Sequence, residues 1–205
     1  VTPYDAKGMM NAALSGTDPV VFFESQNFYD KPEMFHEEGV PEGYYEVPFG
    51  EPALRKAGED VTILTIGPSL YKALDAAKIL EEKYGVSAEV IDARSVVPFN
   101  YEPVCKSVEK TGRILLVSEA CTRGSILNDM ASNISQLSFD YLDAAPYVLG
   151  AQNWVTPASE YDEYFFPQVD DILDAINEKL LPLEGREGNP KFRKAEQLRK
   201  ARLGV

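Results

Sequence analysis

The segment from Val61 to Ala120 constrains the fold more than any other part of the chain. It runs apolar strand (Val61-Thr-Ile-Leu-Thr-Ile-Gly67), amphipathic helix, strand (Ser87-Ala-Glu-Val-Ile-Asp-Ala-Arg94), helix, strand (Arg113-Ile-Leu-Leu-Val-Ser-Glu-Ala120). Strands that alternate with helices of this length join by right-handed crossovers into a mostly parallel sheet with helices on its faces. The expected class is therefore α/β. Such sheets host many chemistries, so function has to be sought in particular residues. A chain of 205 residues, 44% of them hydrophobic, can bury one full core and carry extra material.

The flanking elements follow from periodicity and punctuation. Asp5 to Leu14 reads as a helix with an acid near its start, where a carboxylate favours the free N–H groups. Gly16-Thr-Asp18 ends it, and Pro19-Val-Val-Phe-Phe-Glu24 reads as a fully apolar strand of the buried parallel kind. One helix and one strand cannot bury both faces, so this corner is expected to belong to a sheet whose other strands are absent from the chain. Ser25 to Gly58, rich in Pro, Gly, Glu and Tyr, reads as a connector with a short strand near Tyr45–Phe49.

Leu70, Ala73, Leu74, Ala77 and Leu80 form one stripe of a Ser69–Tyr84 helix that Gly85 closes. Helices are also expected over Tyr101–Lys110, from Ser125 through Ile134, and from Pro167 with Val169, Ile172, Leu173 and Ile176 inward. Tyr147–Gly150 is a short strand. Lys191–Arg202 is either a basic helix or disordered.

Charge excludes some partners. The net charge is −13, so duplex DNA or RNA is not an expected ligand. The acids concentrate in the body. Glu184 to Val205 carries seven bases and three acids, a basic tail that either folds back or grips a neighbouring subunit. Two cysteines, Cys105 and Cys121, make no disulfide framework and fit a reducing compartment, the cytoplasm or a mitochondrial matrix. No run of about 18 apolar residues exists, so no membrane span is expected.

Motifs for autonomous chemistry are missing. There is no phosphate loop and no dinucleotide fingerprint. Gly67-Pro-Ser opens a helix after a strand and reads either as a cap or as a weak anion cradle. His36-Glu-Glu-Gly lacks the second His of a zinc motif, and His36 is expected to be a solvated surface side chain. Cys121 follows a strand end near Arg123, either as an inert thiol or as a nucleophile with no base near it in sequence. Asp92-x-Arg94 reads as a charge pair, a cap or a subunit contact, with a structural role favoured.

Several segments, in order, resemble the beta subunit of the decarboxylating component of 2-oxo acid dehydrogenase complexes, the group acting on pyruvate, branched-chain 2-oxo acids or acetoin. They are Thr2–Gly8, Pro19–Glu24, Val61–Gly67, Glu89-Val-Ile-Asp-Ala-Arg-Ser-Val-Val-Pro98, Ser107–Arg113, Ser118–Ala120, Phe139-Asp-Tyr-Leu-Asp-Ala144 and Phe166-Pro-Gln-Val-Asp-Asp-Ile172. The resemblance implies that residues 1–25 end a thiamine diphosphate-binding pyrimidine domain. It further implies a linker over 26–57, a transketolase C-terminal domain over 58–182 and a basic tail over 183–205.

It also implies that the catalytic glutamate and histidine lie upstream, so this chain has no catalytic residues. Thiamine diphosphate and magnesium belong to the complete enzyme and are not expected on this chain alone. Potassium is expected at Ala13, Gly16 and Asp18, although the family commonly has Asp where this chain has Gly16. The implied partners are an alpha subunit or fused alpha region, a second beta subunit, and the basic subunit-binding domain of the acyltransferase core. That last domain is expected to dock on Glu160, Asp162 and Glu163. The family's His-Glu-Ala-Pro reads Ser118-Glu119-Ala120-Cys121 here, and the chain continues past the usual family ending after Leu183. A stand-alone interaction module and another transketolase-type enzyme are the alternatives.

Overall fold

The computed structural model describes residues 1–204; Val205, the last residue of the expected tail, lies outside the described residues. Five strands form one sheet in the order β1-β3-β2-β4-β5: β1 (Ala53–Lys56), β2 (Val61–Ile66), β3 (Ala88–Asp92), β4 (Ile114–Cys121) and β5 (Tyr147–Ala151). The strands β2 to β5 pair in parallel, and β1 runs antiparallel along β3. Neighbouring residues in β2 and β4 serve opposite faces, as a pleat requires. Ile63 and Leu115 pack with Leu70 and Leu80 of α2 (Ser69–Tyr84) and Ile176 of α6 (Val169–Lys179). Leu64 and Leu116 pack on the other face with Val104 and Val108 of α3 (Glu102–Thr111) and with Met130 and Ile134 of α4 (Ile126–Leu137). The result is a three-layer α/β fold, as the alternation of elements required.

Local signals work where they involve backbone geometry. Gly85 and Gly112 close α2 and α3 in the left-handed conformation, at φ 65° and 66°. The helix expected from Pro167 starts at Val169, because Gln168 and Asp171 form a reciprocal capping box there. The first helix, α1 (Pro3–Ser15), starts earlier than expected. Thr2 is its cap: its hydroxyl accepts the Asp5 N–H at 3.0 Å and donates to the Asp5 carboxylate at 3.0 Å, which orients that carboxylate toward its other partners.

Two expectations fail. Pro19–Glu24 has no regular structure and pairs with none of the five strands, and Val21 and Phe23 are 77% and 85% exposed. An apolar sequence makes a strand only beside a ladder partner, and the described residues offer it none. Tyr45–Phe49 is not a strand either. It is a strap across α1: the Val47 N–H donates to the Gly8 carbonyl at 3.0 Å, and the Tyr45 hydroxyl donates to the Tyr4 carbonyl at 2.8 Å. The strand of the connector is instead β1, too short and too polar to announce itself.

The basic tail folds back. Phe192 is buried in the core, Arg186 pairs with Asp170 and Asp174, and Lys191 pairs with Asp171. The last helix, α7 (Lys194–Leu203), lies beside β5, where the Gln197 amide donates to the Tyr147 hydroxyl at 2.7 Å.

Candidate functional site

The most heavily charged buried point of the molecule joins α1 to the sheet. Asp5, Arg55 and Asp92 are almost wholly buried, and Arg94 is nearly so. Arg55, on β1, donates to Asp5 and, at 2.9 and 3.3 Å, to Asp92 at the end of β3. Arg94 takes a left-handed backbone conformation at φ 56°. Its guanidinium thereby reaches Asp5 at 3.2 Å and the Glu51 carbonyl at 2.6 Å. Two carboxylates and two guanidiniums balance, which is the condition for burying such a group without a large penalty.

Burial raises the Asp5 carboxyl, but Arg55 and Arg94 outweigh it and hold Asp5 below the usual carboxylate range. Burial dominates at Asp92 and pushes its carboxyl up against the pull of Arg55. The Asp92-x-Arg94 signal was structural, but the ionic partner of Asp92 is Arg55. Arg94 gives Asp92 only its backbone N–H, at 3.1 Å. Nothing in the local sequence around Arg55 marks it.

A second feature lies at the carboxyl ends of β2 and β4, where successive crossovers leave in opposite directions and a crevice opens. Lys72 of α2 faces Glu119 of β4 at 3.8 Å, and Asp162, Phe166, Tyr71 and Phe28 complete the walls. Burial pushes Glu119 up, against Lys72 and helped by the Asp162 charge. The anion-cradle alternative for Gly67-Pro-Ser fails here, because the Leu70 and Tyr71 N–H groups donate to the Gly67 and Pro68 carbonyls. Three acids, Asp75, Glu119 and Asp162, outnumber the two lysines, Lys31 and Lys72, on this lining, a balance that does not suit the diphosphate of thiamine diphosphate.

The three docking candidates fall in one loop but not on one face. The loop is a 3-10 turn (Ser159–Tyr161) followed by the single-turn α5 (Asp162–Phe165). Buried Phe165 anchors it, and its carbonyl accepts the Gln152 N–H at 3.1 Å. Glu160 and Glu163 are exposed, flanked by exposed Tyr161, Tyr164 and Trp154, while Asp162 is half-buried and turned to the crevice.

The potassium candidates Ala13, Gly16 and Asp18 sit at the open end of α1. Gly16 and Asp18 are exposed, and the last helical turn has no basic residue. Its terminal carbonyls suit a cation, but several further oxygens would have to come from elsewhere. Among the described residues, no three or more His, Cys, Asp or Glu gather to hold a metal ion. His36 is not the solvated side chain expected. It is half-buried and stacks on Tyr4 with ring centroids 3.6 Å apart, and Tyr4 stacks in turn on Tyr45. The Cys121 thiol donates to the Gln152 carbonyl at 3.2 Å, the arrangement of an inert thiol rather than of one activated by a base.

Comparison with known proteins agrees with the α/β fold. The transketolase C-terminal domain family matches residues 50–172. The acetoin:2,6-dichlorophenolindophenol oxidoreductase subunit beta of Bacillus subtilis is 38% identical over 87% of this chain and 51% of its own length. The 2-oxoisovalerate dehydrogenase subunit beta of the same organism is 38% identical over 86% of this chain and 53% of its own length. Its pyruvate dehydrogenase E1 component subunit beta is 36% identical over 87% and 54%. The chain thus spans about half the length of the curated relatives it matches. A solved split-gene transketolase, an inactive beta4 tetramer, superposes with a TM-score of 0.56 at 26% identity, covering 69% of this chain and 47% of that one. Among the described residues, no helix is long and apolar enough to cross a membrane.

Proposed function

Given that this chain belongs to the transketolase C-terminal domain family, we propose that it is the C-terminal part of the beta half of a thiamine diphosphate-dependent 2-oxo acid dehydrogenase. The complete enzyme decarboxylates a 2-oxo acid and passes the acyl group to lipoyl-lysine. This part serves assembly and docking and is inactive alone. Residues 1–25 end the pyrimidine-binding domain, 26–57 link it, 58–182 form the transketolase C-terminal domain, and 183–205 are the basic tail. The observation that carries this reading is the pairing of a charge-latched α1 with an unpaired apolar segment. The Asp5–Arg55–Arg94 cluster holds α1 on the domain, while Val21 and Phe23 stand in solvent directly after it. That is the surface of an element awaiting neighbouring strands.

The alpha subunit, or a fused alpha region, supplies the diphosphate and magnesium contacts, and a second beta subunit completes the assembly. Potassium at Ala13, Gly16 and Asp18 is part of the same proposal. So is docking of a basic subunit-binding domain on Glu160, Asp162 and Glu163, for which the two exposed acids among exposed aromatic rings are the support. The compartment is the cytoplasm or a mitochondrial matrix.

The test is reconstitution. The chain is co-expressed with the alpha subunit and the N-terminal half of the beta subunit of the Bacillus subtilis relatives, and lipoyl-dependent turnover of pyruvate, 2-oxoisovalerate and acetoin is assayed. Turnover that requires this chain supports the reading. Saturable thiamine diphosphate binding by the chain alone, in a calorimeter, refutes it.

A further inference from the structure

A groove of about 660 Å³ runs along β5 between α4, the start of α6 and the tail. Its floor is the unbroken run Pro146–Asn153, and β5 is an edge strand, paired on one side to β4 alone. The five strand residues Tyr147–Ala151 alone span roughly 16 Å at about 3.3 Å each. That length suits an extended chain better than a compact metabolite.

The charge of the groove is opposite to that of the molecule. Arg123, Lys191 and Lys200 line it, and Asp171 is the one acid on the described lining. Lys191 neutralises Asp171 at 2.6 Å, so an excess of positive charge remains in a chain whose net charge is −13. Asn128, Gln152, Asn153 and Gln197 add amide donors and acceptors. The tail builds one wall: Lys191, Gln197 and Lys200 all lie beyond residues 50–172, the extent of the family match. Buried Phe192, the Gln197–Tyr147 hydrogen bond and the Arg123 side chain donating to the Gly204 carbonyl fix that wall in place.

We propose that the groove between β5 and the basic tail binds an extended acidic peptide segment of a partner protein. The peptide adds a strand to the edge of β5, and its carboxylates face Arg123 and Lys200. Main-chain hydrogen bonds supply affinity in such an arrangement, and alternate side chains supply selectivity. Charge steers the encounter, so binding weakens with salt. The proposal does not depend on the dehydrogenase reading, since the wall that carries Lys191, Gln197 and Lys200 lies beyond the family match.

The test uses the full chain and a fluorescein-labelled octapeptide alternating Glu with Val, with the Lys–Val peptide and a Glu–Val peptide carrying two central prolines as controls. Fluorescence anisotropy is expected to show saturable binding of the Glu–Val peptide only. The double variant Arg123→Glu/Lys200→Glu is expected to weaken it at least about tenfold, equal to about 1.4 kcal/mol, and further than the neutral Arg123→Met/Lys200→Met, which loses the same Arg123–Gly204 contact without reversing charge. Proline is expected to abolish binding by removing strand donors. Equal binding by the double variant, equal binding of the proline peptide, or no saturation at millimolar peptide overturns the proposal. Self-association of the chain through this edge, lost in the double variant, also overturns it, because the occupant is then a second copy.

Discussion

Asp5 and Arg55 stand fifty positions apart in sequence and meet as a buried ion pair at the junction of α1 and β1. Arg55 simultaneously holds Asp92, so one guanidinium ties the first helix to two strands of the sheet. Replacing Arg55 by Met leaves two buried carboxylates with a single cation. Breaking a buried pair in this way costs about 3–5 kcal/mol. Urea denaturation is expected to show that loss in Arg55→Met. A variant within 0.5 kcal/mol (about the scatter of a surface substitution) contradicts the latch.

The same cluster sets a pH dependence. Burial raises the Asp5 carboxyl, but Arg55 and Arg94 pull it below the usual carboxylate range. A carboxyl with a lowered folded-state pKa contributes stability above its unfolded pKa and loses that contribution as pH falls through the folded value. The stability difference between the wild type and Asp5→Asn is therefore expected to be full at pH 6 and to shrink below about pH 4. A difference that stays constant from pH 6 to pH 3 refutes the assignment.

Gly8 lies under the connector strap. A Cβ there would come 2.5 Å from Val47 Cγ2 and 2.8 Å from the Tyr45 ring. Gly to Ala inside a helix ordinarily stabilises by about 0.5–1 kcal/mol. Here overpacking reverses the sign, and Gly8→Ala is expected to destabilise by about 1–3 kcal/mol. Adding Val47→Ala is expected to recover part of the loss, as thermal melts of the single and double variants would reveal.

Phe192 anchors the tail in the core formed by α2, α6 and the sheet. Phe192→Ala removes that ring at a cost of about 3–5 kcal/mol. Hydrogen exchange is expected to quicken first in α7, which has no buried residue of its own. Unchanged protection of α7 would show that Gln197 and Lys191 hold the tail unaided.

Docking on the acidic loop is tested by charge reversal. Glu160→Lys with Glu163→Lys is expected to slow association of a basic subunit-binding domain and to flatten its salt dependence. Both acids are exposed, so the fold should be unaffected. An unaltered association rate in surface plasmon resonance removes these two acids from the interface.

What the sequence disclosed about the fold was whatever repeats locally. The β2–α2–β3–α3–β4 run is visible because burial on both faces makes its strands continuously apolar and its helices striped. The β1 strand was hidden, because Leu54 is 60% exposed and Arg55 and Lys56 read as surface. Its place is decided by register against β3, a non-local property. The site divides in the same way. Asp92 and Arg94 stood out as a strand-end pair, whereas Arg55 and Asp5 are joined only by topology. His36 was misread because its stacking partner Tyr4 lies on another element. The acids of the 160–163 loop were legible as charge, but the inward turn of Asp162 follows from Phe165 being buried beside it.

The unpaired stretch from Pro19 to Glu24 has a practical consequence. Two bulky side chains and an unmatched row of amide groups form an adhesive ribbon, the kind of surface on which unlike and like molecules alike can seed fibrils. Stocks of the isolated chain should cloud with time and concentration, and a charged residue at Val21 should keep them clear.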